Sequence, residues 1–227
     1  MNARLSVARY GDHAWLIKAD NYRAVTLAES IRRLIADNAS LNTTIDEVVP
    51  GARTVLVIAK PGTTTANLGG AIADLLPEVD LDDNPETSPR MVRLEVTYDG
   101  ADLHPIATEL GLSPEALIRM HSESIYEVAF CGFAPGFAYL TGLNPRLHLP
   151  RLNTPRPQVP AGSVAIADSY SSVYPQASPG GWRLLGHTNA TLFDLDKSEP
   201  ALLRPGTQVR FTPTGTSIGL PEDLARA

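Results

Sequence analysis

Between residues 121 and 188 the sequence concentrates side chains that can bind or move charge. Arg151 and Arg156 lie in the Pro-rich run PRLNTPRPQVP, His121 stands upstream of it, and His187 ends the stretch SPGGWRLLGHT. A guanidinium fork suits planar, bidentate capture of a carboxylate or phosphate, so the arginines point to an anionic ligand. Imidazole exchanges a proton near neutral pH without a large shift, so His121 and His187 are each either acid-base groups or hydrogen-bonded structural histidines. Interleaved with them are Phe133, Phe137, Tyr139 and Trp182, rings that either line a site or fill core.

The loops carrying these residues, GFAPGFAYL, PRLNTPRPQVPAGSVAIA and SPGGWRLLGHT, are dense in Pro and Gly. Proline fixes φ and glycine reaches positive φ, so such segments hold backbone shapes that ordinary strands do not adopt. Rigid loops of this kind are frequent carriers of binding sites.

Other chemistries find no support. The sequence has no G-x-x-x-x-G-K-[ST] loop and no G-x-G-x-x-G fingerprint, so no recognisable motif holds a nucleotide. His13, His104, His121, His148 and His187 form no i,i+4 pair and have no companion ligands at metal spacing, so no metal is expected. Gly215–Gly219, GTSIG, fits the G-x-S-x-G pattern but lacks room for a strand, turn and helix around it. Cys131, the single cysteine, sits in the apolar run VAFCGF and reads as a small buried hydrophobe, which fits a reducing compartment.

Composition sets the wider bounds. The 227 residues are 43% hydrophobic and 19% charged, enough for a sizeable core, and the net charge of −6 argues against nucleic acid as a partner. No run of 18 apolar residues and no apolar signal core occur, so the expectation is a cytoplasmic protein without a membrane segment.

The elements that must position the candidates follow from pattern. Two short apolar runs around Gly11-Asp12 predict a hairpin, and Leu27, Ala28, Ile31, Leu34 and Ile35 predict an amphipathic helix after Asn21. TVLVIAK predicts a strand and residues 63–76 a second helix, giving a small α+β domain over 1–84. The acidic, Pro-containing stretch 78–90 predicts a connection, with the boundary near Asn84. Residues 85–227 then open on the alternating strand MVRLEV and two short helices, the second capped by Ser113 with Pro114 behind it. YEVAFCGF, GSVAIA, GWRLLG, ATLFDL and TQVRF follow as short strands of an antiparallel barrel or sandwich.

Taken in order, YDG…DL from Tyr98, GLS from Gly111, HSESIYEV from His121, GFAPGFAYLTGL, PRPQVPAGSVAIA, VYP, SPGGWRLLGHT and VRF resemble the allophanate hydrolase subunit 1 family. That family, also called the KipI or carboxyltransferase subdomain C and D family, includes the B subunit of bacterial 5-oxoprolinase. The resemblance covers nearly the whole chain and implies a small N-terminal α+β domain followed by a cyclophilin-like antiparallel β-barrel. It also implies work within an ATP-dependent 5-oxoprolinase converting 5-oxo-L-proline to L-glutamate. The partners would be an allophanate hydrolase subunit 2-like protein, which is the C subunit of 5-oxoprolinase, and its A subunit, with ATP and magnesium acting at the level of the complex. Alternatives within the family are a KipI-like inhibitor of a sensor histidine kinase and a carboxyltransferase half of the urea carboxylase type.

Carried onto this chain, the resemblance assigns His121 as the acid-base candidate. It assigns Phe133, Pro135, Gly136, Phe137, Tyr139, Arg151, Arg156, Pro160, Gly162, Ser163, Tyr174, Pro179, Gly180, Gly181, Trp182 and His187 to substrate binding. The sequence departs from the family pattern at Tyr170-Ser171-Ser172, where Gln-Thr-Gly is usual, at Thr141, where Gly is usual, and at His187, where Arg or Lys is common.

Overall fold

The computed structural model describes residues 5–19, 24–63, 67–79 and 90–214. The expected boundary near Asn84, the helix lead-in at Asn21 and the Gly215–Gly219 stretch lie outside the described residues. Two compact units divide the chain, Met1–Ser88 with Ala129–Cys131, and Pro89–Val128 with Gly132–Ala227.

In the first unit the hairpin forms as its turn chemistry requires. β1 (Val7–Tyr10) pairs antiparallel with β2 (Ala14–Lys18), and Gly11 takes the left-handed φ of 64° that the turn demands. α1 (Ala24–Asp37) buries Leu27, Ala28, Ile31 and Ile35, the predicted apolar stripe. Two elements escape the pattern: α2 (Ala39–Thr44), capped by the Asn38 side chain accepting from Leu41 N–H, and β3 (Ile45–Pro50). A bulge between Ile45 and Glu47 shifts the register of β3, so its buried Ile45, Val48 and Pro50 do not alternate and the strand is hidden from a period of two. β4 (Thr54–Ala59) completes a four-stranded sheet of order β1-β2-β4-β3, and α3 (Leu68–Leu75) follows. Trp15, Ile17, Val55 and Val57 pack with α1 and α3 into one core.

In the second unit β5 (Met91–Val96) alternates buried and exposed residues without exception. α4 (Leu103–Leu110) ends at Gly111 in the left-handed region, and α5 (Pro114–Ser122) starts at the predicted cap, Ala116 N–H donating to Ser113 Oγ at 3.2 Å. β6 (Tyr126–Cys131), β7 (Ala138–Thr141), β9 (Ser163–Ala167), β10 (Tyr170–Val173), β12 (Arg183–His187) and β13 (Gln208–Pro213) join β5 in a seven-stranded sheet of order β12-β9-β10-β7-β6-β13-β5. β8 (Arg156–Val159) and β11 (Ser178–Gly180) form a separate ribbon.

The two ends of the seven-stranded sheet meet, making it a nearly closed barrel. Thr97, just beyond β5, and His187, at the end of β12, exchange two backbone hydrogen bonds of 2.9 and 2.8 Å. The close approach needs Gly186, where a Cβ would overlap the Thr97 carbonyl. One pairing departs from the antiparallel expectation: β5 and β13 run parallel, a geometry that requires the long crossover which the intervening helices and strands supply. ATLFDL is no strand and contributes only an isolated bridge, Phe193 to Ala201. No helix among the described residues is long and apolar enough to cross a membrane.

Candidate functional site

The ring-bearing loops converge. Phe137, 1% exposed, is the hub, with ring centroids of Phe133, Tyr139, Tyr174 and Trp182 at 5.2, 5.2, 5.3 and 5.6 Å, all close to edge-to-face. This is the arrangement that the quadrupoles of aromatic rings favour. Tyr170 extends the cluster through Tyr139 at 5.7 Å, so the departure from the family pattern at this position adds a ring to the same face.

Phe133 differs from its neighbours. It is 63% exposed and has a φ of 72°, a region that non-glycine residues rarely occupy. Ala134 N–H donates to Gly132 C=O at 2.9 Å around it, the hydrogen bond of a γ-turn, and Phe137 N–H closes the loop on Ala134 C=O at 3.0 Å. Such a backbone costs about 1–3 kcal/mol and persists only where the surroundings enforce it. Pro135 is exposed in this loop, and Gly136, φ 82°, is buried with Phe193 where a Cβ would stand.

The opposite wall comes from the 174–182 segment. A Cβ on Gly180 would overlap the Tyr174 hydroxyl, so glycine there lets the phenol enter the cluster. Burial raises the Tyr174 pKa, partly offset by the Trp182 backbone and by the Arg151 charge. Gly181 C=O accepts from Leu152 N–H at 2.8 Å, tying the wall to the Pro-rich loop, while Pro179 stays exposed on β11.

The two arginines part company. Arg151 is exposed, its guanidinium carbon 5.8 Å from the centroid of the Trp182 ring, and it makes no ion pair among the described residues. Arg156, expected to capture an anion, is already occupied: Nη2 donates to Asp102 Oδ1 and Oδ2 at 2.7 and 2.8 Å, and Nη1 to Trp182 C=O at 3.3 Å. Its partner Asp102, 54 positions away, escaped the sequence reading because nothing local marks it.

His121 belongs to a different place. It is 0% exposed inside the barrel, stacked on Phe211 at 4.7 Å and flanked by Tyr98 and Tyr126. Ser171 O–H donates to Ala165 C=O, so His121 Nε2–H donates to Ser171 Oγ at 2.9 Å and Nδ1 accepts from Tyr98 O–H at 2.8 Å. Desolvation pushes the imidazole pKa down to about 3 and that of Tyr98 well above its usual value, which holds both neutral. The acid-base expectation for His121 therefore meets a satisfied, sealed histidine, with the second departure residue, Ser171, as its anchor. Ser172, the third, donates to Ala138 C=O at 2.7 Å.

His187 lies at the barrel seam, Nδ1 2.8 Å from Asp99 Oδ1, with 43% of its side chain exposed. It pairs with Ser163 across β9 and β12, and Gly162, φ 79°, leaves room for the Thr188 carbonyl, so Pro160, Gly162, Ser163 and His187 gather at this end. His187 lies five residue steps beyond Trp182, about 16 Å of strand at 3.3 Å per step. The predicted residues thus fall into a ring site, a barrel core and a seam. Among the described residues no cluster of His, Cys, Asp and Glu is arranged to hold a metal.

Known proteins share this architecture. The family described as carboxyltransferase domain, subdomain C and D, matches residues 5–203. The B subunit of 5-oxoprolinase from Escherichia coli O157:H7 is 43% identical over 170 residues, 74% of this chain and 77% of that protein. The crystal structure of TTHA0988 superposes with a TM-score of 0.74 at 33% identity over 93% of the chain, which spans only 41% of that larger molecule. Kluyveromyces lactis urea carboxylase, at 21% identity, shares the fold with a TM-score of 0.69 over 97% of this chain and 22% of its own.

Proposed function

Because the chain belongs to the carboxyltransferase domain, subdomain C and D, family, we propose that it is the B subunit of a 5-oxoprolinase, acting in the cytoplasm on 5-oxo-L-proline. Its partners are the C subunit, a subunit 2-like barrel protein, and the A subunit. The curated relative named as the B subunit of 5-oxoprolinase supports this reading, and the ring site supports the substrate class.

5-Oxoproline is a small flat lactam with one carboxylate. Arg151 offers that carboxylate an exposed guanidinium over Trp182, and the exposed ring of Phe133 offers the lactam an apolar wall. The buried rings of Phe137, Tyr174 and Trp182 act as a rigid floor. The single observation that carries the reading is that the same ring cluster holds a strained, exposed Phe133 and a buried Trp182 capped by the exposed Arg151, since a backbone of this kind is kept where a side chain must be presented.

The lactam amide is stable, so its opening needs coupling. Phosphorylation of the lactam oxygen by ATP, with magnesium at the complex level, activates the carbon. Addition of water then breaks the C–N bond to give a γ-glutamyl phosphate, and a second water yields glutamate and phosphate. This chain's part is to bind and orient the lactam through Arg151 and Phe133 while its partners complete the site.

Mixing the protein with its subunit 2-like partner and the A subunit should give 5-oxoproline-dependent release of ADP and glutamate, with the chain alone giving neither. A complete complex that releases no glutamate from 5-oxoproline overturns the assignment.

A further inference from the structure

Asp102 occupies the N-cap position of α4, where an aspartate ordinarily accepts the free N–H groups of its own helix. Here it makes no such bond. Its carboxylate instead takes Arg156 Nη2 on both oxygens and the Leu184 backbone N–H at 2.6 Å. Arg156 in turn donates to the Trp182 carbonyl. Residues on both sides of Arg183 are therefore fixed by one partly buried ion pair, the side chains of Asp102 and Arg156 being 12% and 25% exposed.

The pair also reaches the ribbon. Arg156 begins β8 and pairs in register with Gly180 of β11, the glycine that admits the Tyr174 phenol. One carboxylate thus anchors the start of β12 and, through one guanidinium, the segment that carries Tyr174 and Trp182. Charge adds a second effect. With its charge matched by Asp102, Arg156 does not compete for an incoming carboxylate, which leaves the exposed Arg151 over Trp182 to take it.

We propose that Asp102 is a positioning residue for the ring site: it holds Arg156, and Arg156 holds Trp182 in the orientation that presents the ring beneath Arg151. This rests on the 5-oxoprolinase reading for its substrate, but the geometric part stands without it. The role is to align and to neutralise, and Asp102 itself need not touch the lactam.

The chain has two tryptophans, Trp182 in the site and Trp15 in the core of the other unit, so each reports separately. In protein labelled with 5-fluorotryptophan, Asp102→Asn should move or broaden the Trp182 fluorine resonance while that of Trp15 stays in place. In the reconstituted complex the same variant should raise KM for 5-oxoproline about tenfold with kcat changed less than about twofold, the pattern of a lost binding alignment. Arg156→Lys, which keeps the charge but loses the fork, should act in the same direction. If Asp102→Asn fails to fold, loss of the barrel unit's cooperative urea transition shows it and Arg156→Lys carries the test. An unmoved Trp182 resonance overturns the proposal, as does a moved resonance with an unchanged KM. An unaltered complex that does not turn over 5-oxoproline defeats only the functional reading, and the Trp182 resonance still decides the positioning claim.

Discussion

The barrel unit contains two aromatic clusters built from similar residues and put to opposite uses. Around His121, Tyr98, Tyr126 and Phe211 are buried, every polar atom has a partner, and the imidazole is sealed away from any ligand. Around Phe137 the rings are equally well packed, yet one of them, Phe133, is held outward on strained backbone and an arginine stays exposed. Residue type does not separate a site from a core. What separates them is access, together with whether the polar groups are already satisfied.

The strongest challenge to this contrast is His121→Ala. It should lower stability by roughly 3–4 kcal/mol, through the cavity and the lost partner of Tyr98, as read by urea denaturation. A small loss would mean that the core cluster is less closed than its geometry indicates.

A pH series sharpens the same point. The unfolded chain binds a proton on His121 below about pH 6.5, while the folded chain resists until about pH 3, so stability must fall as the pH drops through that window. This residue's share between pH 6.5 and 5 is on the order of 1–2 kcal/mol, and His121→Asn should remove that share of the slope. An identical slope in the variant would place the linked proton elsewhere.

On the other cluster, Arg151→Ala should raise KM for 5-oxoproline about tenfold in the complex, near 1.4 kcal/mol, with thermal stability scarcely altered. Phe133→Gly tests the same cluster at its exposed ring. Relief of the left-handed strain and loss of the contacts with Phe137 and Tyr174 should nearly cancel, within about 1 kcal/mol, while KM rises. A large destabilisation would make Phe133 a packing residue and dissolve the distinction between the two clusters.

Much of the fold is legible because its signals are local. The Gly11 turn, the stripe of α1, the Ser113 cap and the alternation of β5 each declare themselves within a few residues. β3 does not, because a bulge breaks its period, and ATLFDL misleads because apolar residues in a loop can imitate a strand. The ring site is legible in part: the Pro and Gly of its loops announce unusual backbone, but not which rings meet.

The amino-acid sequence by itself determined the family, the α+β unit followed by a barrel, and the set of loops from which a site could be drawn. Only the tertiary structure decided among the candidates. It sealed His121 between Tyr98 and Ser171, residues 23 before and 50 after it, and matched Arg156 with Asp102. It also brought β5 alongside β13 in parallel. The reason is physical. Caps, turns and periodicities depend on neighbours along the chain, whereas burial and ion pairing depend on neighbours in space that barrel closure alone supplies.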